Sequence, residues 1–451
     1  MTTRQLAVFT ANLKFTDLNP ATVRKTKQCI LDWLGVSIRG SREKPAQILR
    51  QVILTAKEEE ASVFSGEGLR ANTLNAAFCN GANSHTLDFD DLHNPSIIHI
   101  ATVVIPPVFA IAEKEHKSGK EMLTAVVAGY EVCARVGESV IPESYYFWHT
   151  TGTAGAIGAG TSAARILGLD AEQTLHCLGS AGTQAAGLWE FVKEGAMSKP
   201  LHTGKSSYAG VLAAYLSRAG FTGATKILEG EKGFCRAMVQ EPHLEKLSDG
   251  LGMGFKIDDN SFKPYPCCKH SHASIYALQI LQKEYEFMAE DVAKLEVLVN
   301  SITDSLINNP DPQTAYGCKF SIQYCDASAL RFGNVGIEQF SHEALTDLET
   351  RTLMKKIVVH QDSEIQKVYD KDPSKLATKV IVTLNDGRIL EQEVDYPKGD
   401  PACSMIWEES MAKFTALAEP VYGKEKTSRL GDLINHLDDV QDFQKALRAC
   451  L

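Results

Sequence analysis

Long apolar runs are missing from this sequence. The longest largely apolar stretch, 100–112 (IATVVIPPVFAIA), is too short to cross ~30 Å of hydrocarbon and is broken by Pro106-Pro107. The N-terminus, Met1–Phe15, carries one early cation, Arg4, with no apolar core behind it, so no secretory signal is expected. These absences predict a soluble, cytoplasmic chain with no membrane partner. An excess of positive charge is missing too. The 46 Lys+Arg stand against 56 Asp+Glu, a formal net charge of −10, which argues against broad nucleic-acid or anionic-membrane binding. Cofactor signatures are also lacking. There is no Cys-x-x-Cys, and the eleven cysteines are scattered from Cys29 to Cys450, as expected of reduced core residues. No G-x-G-x-x-G follows an expected strand, G-x-S-x-G is absent, and Gly204-Lys205-Ser206 has no glycine five residues upstream to complete a phosphate loop. No cofactor and no metal are expected.

What is present is ordinary globular composition, 44% hydrophobic and 23% charged over 451 residues, too long for one core. The first half reads as helices rich in small residues. Asn19-Pro20 is an N-cap followed by proline at the first helical position. Segments 119–137, 153–167 and 207–219 carry helical periodicity, the last two dominated by Ala, Gly and Ser. No strand is expected before about residue 255. Beyond it, 295–300, 356–360, 378–384 and 388–394 read as strands, the last two joined by the turn Asn385-Asp386-Gly387. Helical stretches near 273–284, 322–332 and 342–355 lie among them, and helix returns at 407–418 and 424–447. The expected fold is mostly α: a helical domain, 1–257 and 398–451, interrupted by a smaller α+β domain, 258–397.

Four clusters hold residues with chemistry. In 83–99 (NSHTLDFDDLHNPSIIH), Asp88, Asp90 and Asp91 mix with His85, His93 and His99. A carboxylate beside an imidazole orients it or tunes its proton affinity, although a solvated acidic turn is the plain alternative. No ligand pair there has a familiar metal spacing. In 148–154 (WHTTGTA), His149 stands just ahead of a helix whose free N–H groups suit a carboxylate, with Thr150, Thr151 and Thr153 as hydroxyl donors, or as simple caps. In 198–206 (SKPLHTGKS), Lys199, His202 and Lys205 precede another helix and suit an anion if they are not merely solvated. In 263–272 (KPYPCCKHSH), Lys263, His270 and His272 flank Cys267-Cys268, a spacing that matches no zinc finger or ribbon. Together these describe a metal-free cationic pocket for a small polycarboxylate. There, removing a proton next to a carboxylate, or losing CO₂, leaves a carbanion that Lys and imidazolium groups stabilise.

The runs NSHTLDFDD, WHTTGTAGAIGAGTSAARILGLD, SKPLHTGKSSYAG, FKPYPCCKHSHASIYA and KFSIQY resemble the MmgE/PrpD family, in the family's order, from about residue 5 to 450. That family holds 2-methylcitrate dehydratases, cis-aconitate decarboxylases and iminodisuccinate epimerases. The resemblance implies a large all-helical domain with a smaller α+β lid, a homodimer, and an active site without metal or organic cofactor. It implies His149 or Tyr324 as proton donor or acceptor, Lys199, Lys263 and His99 as carboxylate ligands, and Asp88 as the group that orients a base. Leu92 stands where members often have Thr, and Cys268 where decarboxylase-like members have His, with His272 near enough to substitute. The expected activity is therefore a lyase of the 2-methylcitrate dehydratase kind. The alternatives are a cis-aconitate decarboxylase, a dicarboxylate epimerase or a silent binding protein. A histidine acid or base is expected to titrate between about pH 5.5 and 8.

Overall fold

A computed structural model describes residues 2–56, 58–194, 196–372 and 375–451. The chain divides into two compact units, one built from 1–261 and 406–451, the other from 262–405.

The first unit is a stack of helices. Its long members are Pro20–Gly40, Thr73–Ser84, Ala101–Lys114, Gly119–Glu138, Thr150–Leu167, Ala171–Gly182, Ser198–Arg218 and Trp407–Asn435. Asn19 caps Pro20–Gly40 by accepting from the Thr22 amide at 2.9 Å, as the Asn-Pro pair predicts. Thr150–Leu167 is buried on nearly every side and packs against Gly119–Glu138, Ala101–Lys114 and Ser198–Arg218. Its small residues make this close packing possible. A Cβ on Gly158 would fall 2.5 Å from Cys133 Cβ, and one on Gly210 would fall 2.4 Å from the Ala159 carbonyl carbon. Those crossings bring backbones to distances that no larger residue permits.

Two expectations change here. Helix Ser198–Arg218 starts nine residues before the expected 207, so the SKPLHTGKS run is its first turns rather than a preceding loop. Pro200 does not stop it, because the amides of a helix's first turn have no intrahelical partner to lose. A two-residue antiparallel ladder, Ala61–Ser62 with Arg70–Ala71, also precedes residue 255. It is fixed by the buried Glu113 carboxylate, which accepts from the Ser62 amide at 2.7 Å and from Arg70 at 2.6 Å. This long-range partner leaves no local pattern in the sequence.

The second unit holds a four-stranded mixed sheet in the order Ile357–Gln361, Val292–Val299, Thr378–Leu384, Ile389–Val394, the first pair parallel and the others antiparallel. Thr378–Leu384 alternates strictly between buried and half-buried residues, the period of a strand with one covered face. Gly387, at φ +89°, makes the hairpin turn. Helices His272–Tyr285 and Ile322–Phe332 complete a core with Leu295, Val297, Val380 and Val382. The expected helix 342–355 is two short pieces, His342–Leu345 and Leu348–Met354, because Asp347 caps the second through the Thr350 amide and restarts it. Among the described residues, no helix is long and apolar enough to cross a membrane.

Candidate active site

The first unit gathers four imidazoles, a lysine and two carboxylates around the start of Thr150–Leu167. His85 follows the last residue of Thr73–Ser84, and its Nδ1 lies 2.7 Å from Asp90 Oδ2. His99 Nδ1 lies 2.9 Å from the same oxygen, at an angle short of a hydrogen bond. The His85 ring stacks on that of His149, centroids 5.4 Å apart and 11° from parallel, while His99 meets His85 edge-on at 4.8 Å. His149 Nδ1 is 3.1 Å from His202 Nδ1. Lys199, one turn before His202, donates to Asp88 Oδ1 at 2.7 Å.

The backbone holds these groups in place. Asp88 and Ile97 adopt φ of +56° and +52°, conformations that cost a non-glycine residue energy. The 85–99 loop is closed by the His93–Ile98 bridge. It is stapled to the helix start where Thr150 Oγ1 donates to the Ile97 carbonyl at 3.0 Å and Thr151 Oγ1 accepts from the His99 amide at 3.2 Å. Thr150 and Thr151, which the sequence offers as ligand donors or as caps, therefore hold the loop. Lys205, expected to face an anion, donates to the carbonyls of Gly152, Gln184 and Ala186. Burial lowers its pKa to about 8.

Burial also sets the charge state of His85, His149 and His202. It pushes His85 down to about 4 against the pull of Asp90, and His202 to about 4 with help from Lys205 and Lys199. It takes His149 well below the usual imidazole range, helped by His85 and Lys199. Burial alone would raise Asp90, but His85 and His99 outweigh it and hold this carboxyl well below its usual range. The expected histidine titration between pH 5.5 and 8 therefore moves to lower pH for His149, since a desolvated imidazolium has little to offset its loss of hydration.

The loop's remaining polar residues are structural. Asp91 turns into the core, where it accepts from Tyr130 at 2.6 Å, Asn260 at 2.8 Å and the Ala101 amide at 3.2 Å. Burial lifts its pKa to about 7. His93 Nδ1 contacts Ser96 Oγ at 2.8 Å within the loop. Of the residues to which the family resemblance gives roles, Asp88, His99, His149 and Lys199 come together here. His85, Asp90 and His202 join them, and the i+3 spacing of His202 from Lys199 on one helix face was the signal for the last.

Lys263, His272 and Tyr324 belong to the second unit. Lys263 is buried. His272 opens helix His272–Tyr285, with Nε2 3.3 Å from the Cys267 carbonyl and its ring edge-on to Tyr265 at 5.1 Å. Tyr324 is buried, donates its hydroxyl to the Gln339 carbonyl and lies against Phe340. Burial raises its pKa further from neutrality. His270 Nδ1 contacts Thr303 Oγ1 at 2.7 Å. Cys267 and Cys268 are not joined in a disulfide.

Donor atoms of His85, Asp90 and His99 lie within 4.8 Å of one another, the spacing of a small metal site. However, Asp90 Oδ2 is approached by both Nδ1 atoms. An ion there would displace the proton that joins His85 to Asp90, so the donor set fits a hydrogen-bonded relay better than a ligand cage.

Residues 4–247 match the family model of the MmgE/PrpD N-terminal domain, and 265–439 that of the MmgE/PrpD C-terminal domain. The chain is similar to the cis-aconitate decarboxylase-like protein oryM of Aspergillus oryzae, 26% identical over 99% of this chain and 96% of that protein. It is also similar to the cis-aconitate decarboxylase of Aspergillus terreus, 25% identical over 99% and 95%. The cis-aconitate decarboxylase of Mus musculus is 24% identical over 98% and 91%.

Proposed function

We propose, from the premise that the chain belongs to the MmgE/PrpD family, that it is a lyase which decarboxylates a small unsaturated polycarboxylate of the cis-aconitate kind. The relatives' activity supports the reaction, and one observation supports the site: His149, a buried neutral imidazole, is stacked on His85 and held at 3.1 Å by His202, with Lys199 on the same helix as His202.

In the proposed reaction Lys199 and His99 hold substrate carboxylates. The polyanion raises the proton affinity of His149, reversing the effect of burial, so the imidazole takes up a proton as substrate binds. The C–C bond to one carboxylate then breaks and CO₂ leaves. The electron pair passes into the alkene and its conjugated carboxylate, and the carbon that receives it takes the proton from His149. One proton from solvent is consumed per turnover. Asp90 keeps the His85 and His99 rings oriented, as a carboxylate does for a catalytic imidazole.

A second reading is dehydration of a 2-methylcitrate-like hydroxy acid. It is favoured by the depressed proton affinity of His149, which leaves a free base ready to remove a proton next to a carboxylate. NMR of cis-aconitate and 2-methylcitrate in D₂O tests both readings. Decarboxylation releases CO₂ and leaves one deuterium in the product, whereas dehydration yields the alkene from 2-methylcitrate with no CO₂. Deuterium exchange into an otherwise unchanged acid would overturn both in favour of an epimerase. The family resemblance also carries the proposal of a homodimer, which sedimentation velocity tests.

A further inference from the structure

An aromatic wall stands beside the histidines, and the reaction proposed above does not use it. The Trp189 ring is 4.6 Å from that of His149, Phe191 stacks on Trp189 at 5.4 Å and 29°, and Tyr145 meets Trp189 edge-on at 5.1 Å. Phe191 also closes on His202 at 5.5 Å, so the wall touches both members of the imidazole pair. It rests on a built scaffold. The His149 amide donates to the Gly187 carbonyl at 2.9 Å, Trp148 bridges Leu188, and the Trp189 amide donates to the Phe147 carbonyl at 3.1 Å. Leu188 extends the apolar surface outward and is 56% exposed. The Trp189 indole N–H is buried and has no hydrogen-bond partner among the described residues.

A substrate carrying only carboxylates gains little from such a wall, since seating a charge against aromatic faces costs its hydration and returns few hydrogen bonds. An apolar chain loses no hydration there. The Lys199–Asp88 pair and the aromatic wall thus give the site one charged pole and one apolar pole. We propose that the substrate is a polycarboxylate bearing an apolar alkyl arm of several carbons, that the arm lies on Trp189 and Phe191, and that Trp189 sets this specificity. The inference rests on the reading of the site as a polycarboxylate lyase and names its substrate class.

Calorimetric titration of the full chain with propane-1,2,3-tricarboxylate and with its butyl-substituted homologue tests the subsite without requiring turnover. Each buried methylene is worth about fourfold in affinity, so the butyl acid is expected to bind at least about tenfold more tightly. Trp189→Ala is expected to bring that ratio within about twofold, and Trp189→Phe, which keeps an aromatic face, to retain most of it. Thermal melts confirm that both variants fold. Equal affinities in the wild type, or an advantage that survives Trp189→Ala, would overturn the proposal, because the wall would then be only a local packing cluster. Tight binding of the butyl acid, with no turnover of either unsaturated counterpart, would sink the lyase reading while the alkyl subsite stands. Turnover of cis-aconitate without any preference for an alkyl homologue would do the reverse.

Discussion

His149 and His202 face each other Nδ1 to Nδ1 at 3.1 Å, and such a contact holds one proton, not two and not none. Two protons would collide, and none would set lone pair against lone pair. The two rings must therefore carry opposite tautomers, so the state of His202 dictates which nitrogen of His149 carries the proton. Replacing His202 with Phe keeps the ring volume and removes this control. The expected result is a loss of kcat of about 10–100-fold, within the range that general acid–base groups contribute, with a smaller change in KM. Nitrogen-15 shifts of His149 should move from a single tautomer in the wild type to a mixture in the variant. Unchanged shifts would remove His202 from any positioning role.

The pH profile follows from the buried imidazoles. In the free enzyme His149 and His202 bind protons only on the acid side of the usual imidazole range. Both stay neutral from about pH 6.5 upward; His202 becomes charged as the pH falls toward about 4, and His149 well below the usual imidazole range. Accordingly kcat/KM for the decarboxylation, whose transition state holds one proton more than the neutral free enzyme, should rise by up to about tenfold per unit as the pH falls from about 8 to 6.5, whereas dehydration with neutral His149 as the base should be level there and fall at lower pH. An inflection near pH 6.5 that disappears in His149→Gln would contradict the burial argument. The same variant should lose at least about 100-fold in kcat.

A third expectation concerns stability. His93 is buried, and its pKa is pushed to about 3, by burial first and then by Lys256. Its unfolded value is about 6.5. Above that value neither state binds the proton. As the pH falls from about 6.5 toward 3, the unfolded state binds it and the native state does not, so stability is lost in that window. Between pH 7 and 5 this one group removes about 2 kcal/mol. Urea unfolding of His93→Asn beside the wild type isolates the term. The wild type should lose about that much more stability across the interval, and parallel curves would show that His93 is hydrated in the native state.

The Asp90 relay can be tested against a metal ion. If Asp90 Oδ2 joins His85 through a proton, with His99 close by without a hydrogen bond, prolonged treatment with a strong chelator should leave kcat unchanged. Elemental analysis should then find well under one equivalent of transition metal. Asp90→Asn should lower kcat by about tenfold or more, because the neutral amide cannot hold the His85 ring, or offer charge to His99, as the carboxylate does. Activity lost to chelator and restored by one metal would replace the relay with a ligand cage.

Much of the fold was legible locally. Asn19-Pro20 announced its helix start, and Asn385-Asp386-Gly387 its hairpin, because caps and tight turns are decided within four residues. The site was legible as residue types and not as roles. Neighbouring Asp90 and Asp91 look alike in sequence, yet one meets His85 and His99 while the other meets Tyr130, 39 residues away, and Asn260, 169 away. Nothing within the loop encodes that parting. Thr150 and Thr151 suited a ligand equally well, and only the approach of 97–99 converts them into staples. Trp189 and Phe191 carried no motif, since an aromatic wall is defined by what it faces.

The glycine crossings have a consequence for how such a protein can change. Gly210 admits no side chain against Ala159, so the helices presenting His149 and His202 are fixed in spacing by a position where almost every mutation is blocked, as Gly158 fixes the first of them against Gly119–Glu138. In the 185–192 segment Gly187 is the locked position, with φ +142° and an added Cβ only 3.2 Å from His202 Nδ1, while Leu188 faces solvent. Variation is therefore steered toward the surface that selects the substrate and away from the frame that performs the chemistry. Descendants of this chain can exchange substrates freely while inheriting the reaction almost unaltered.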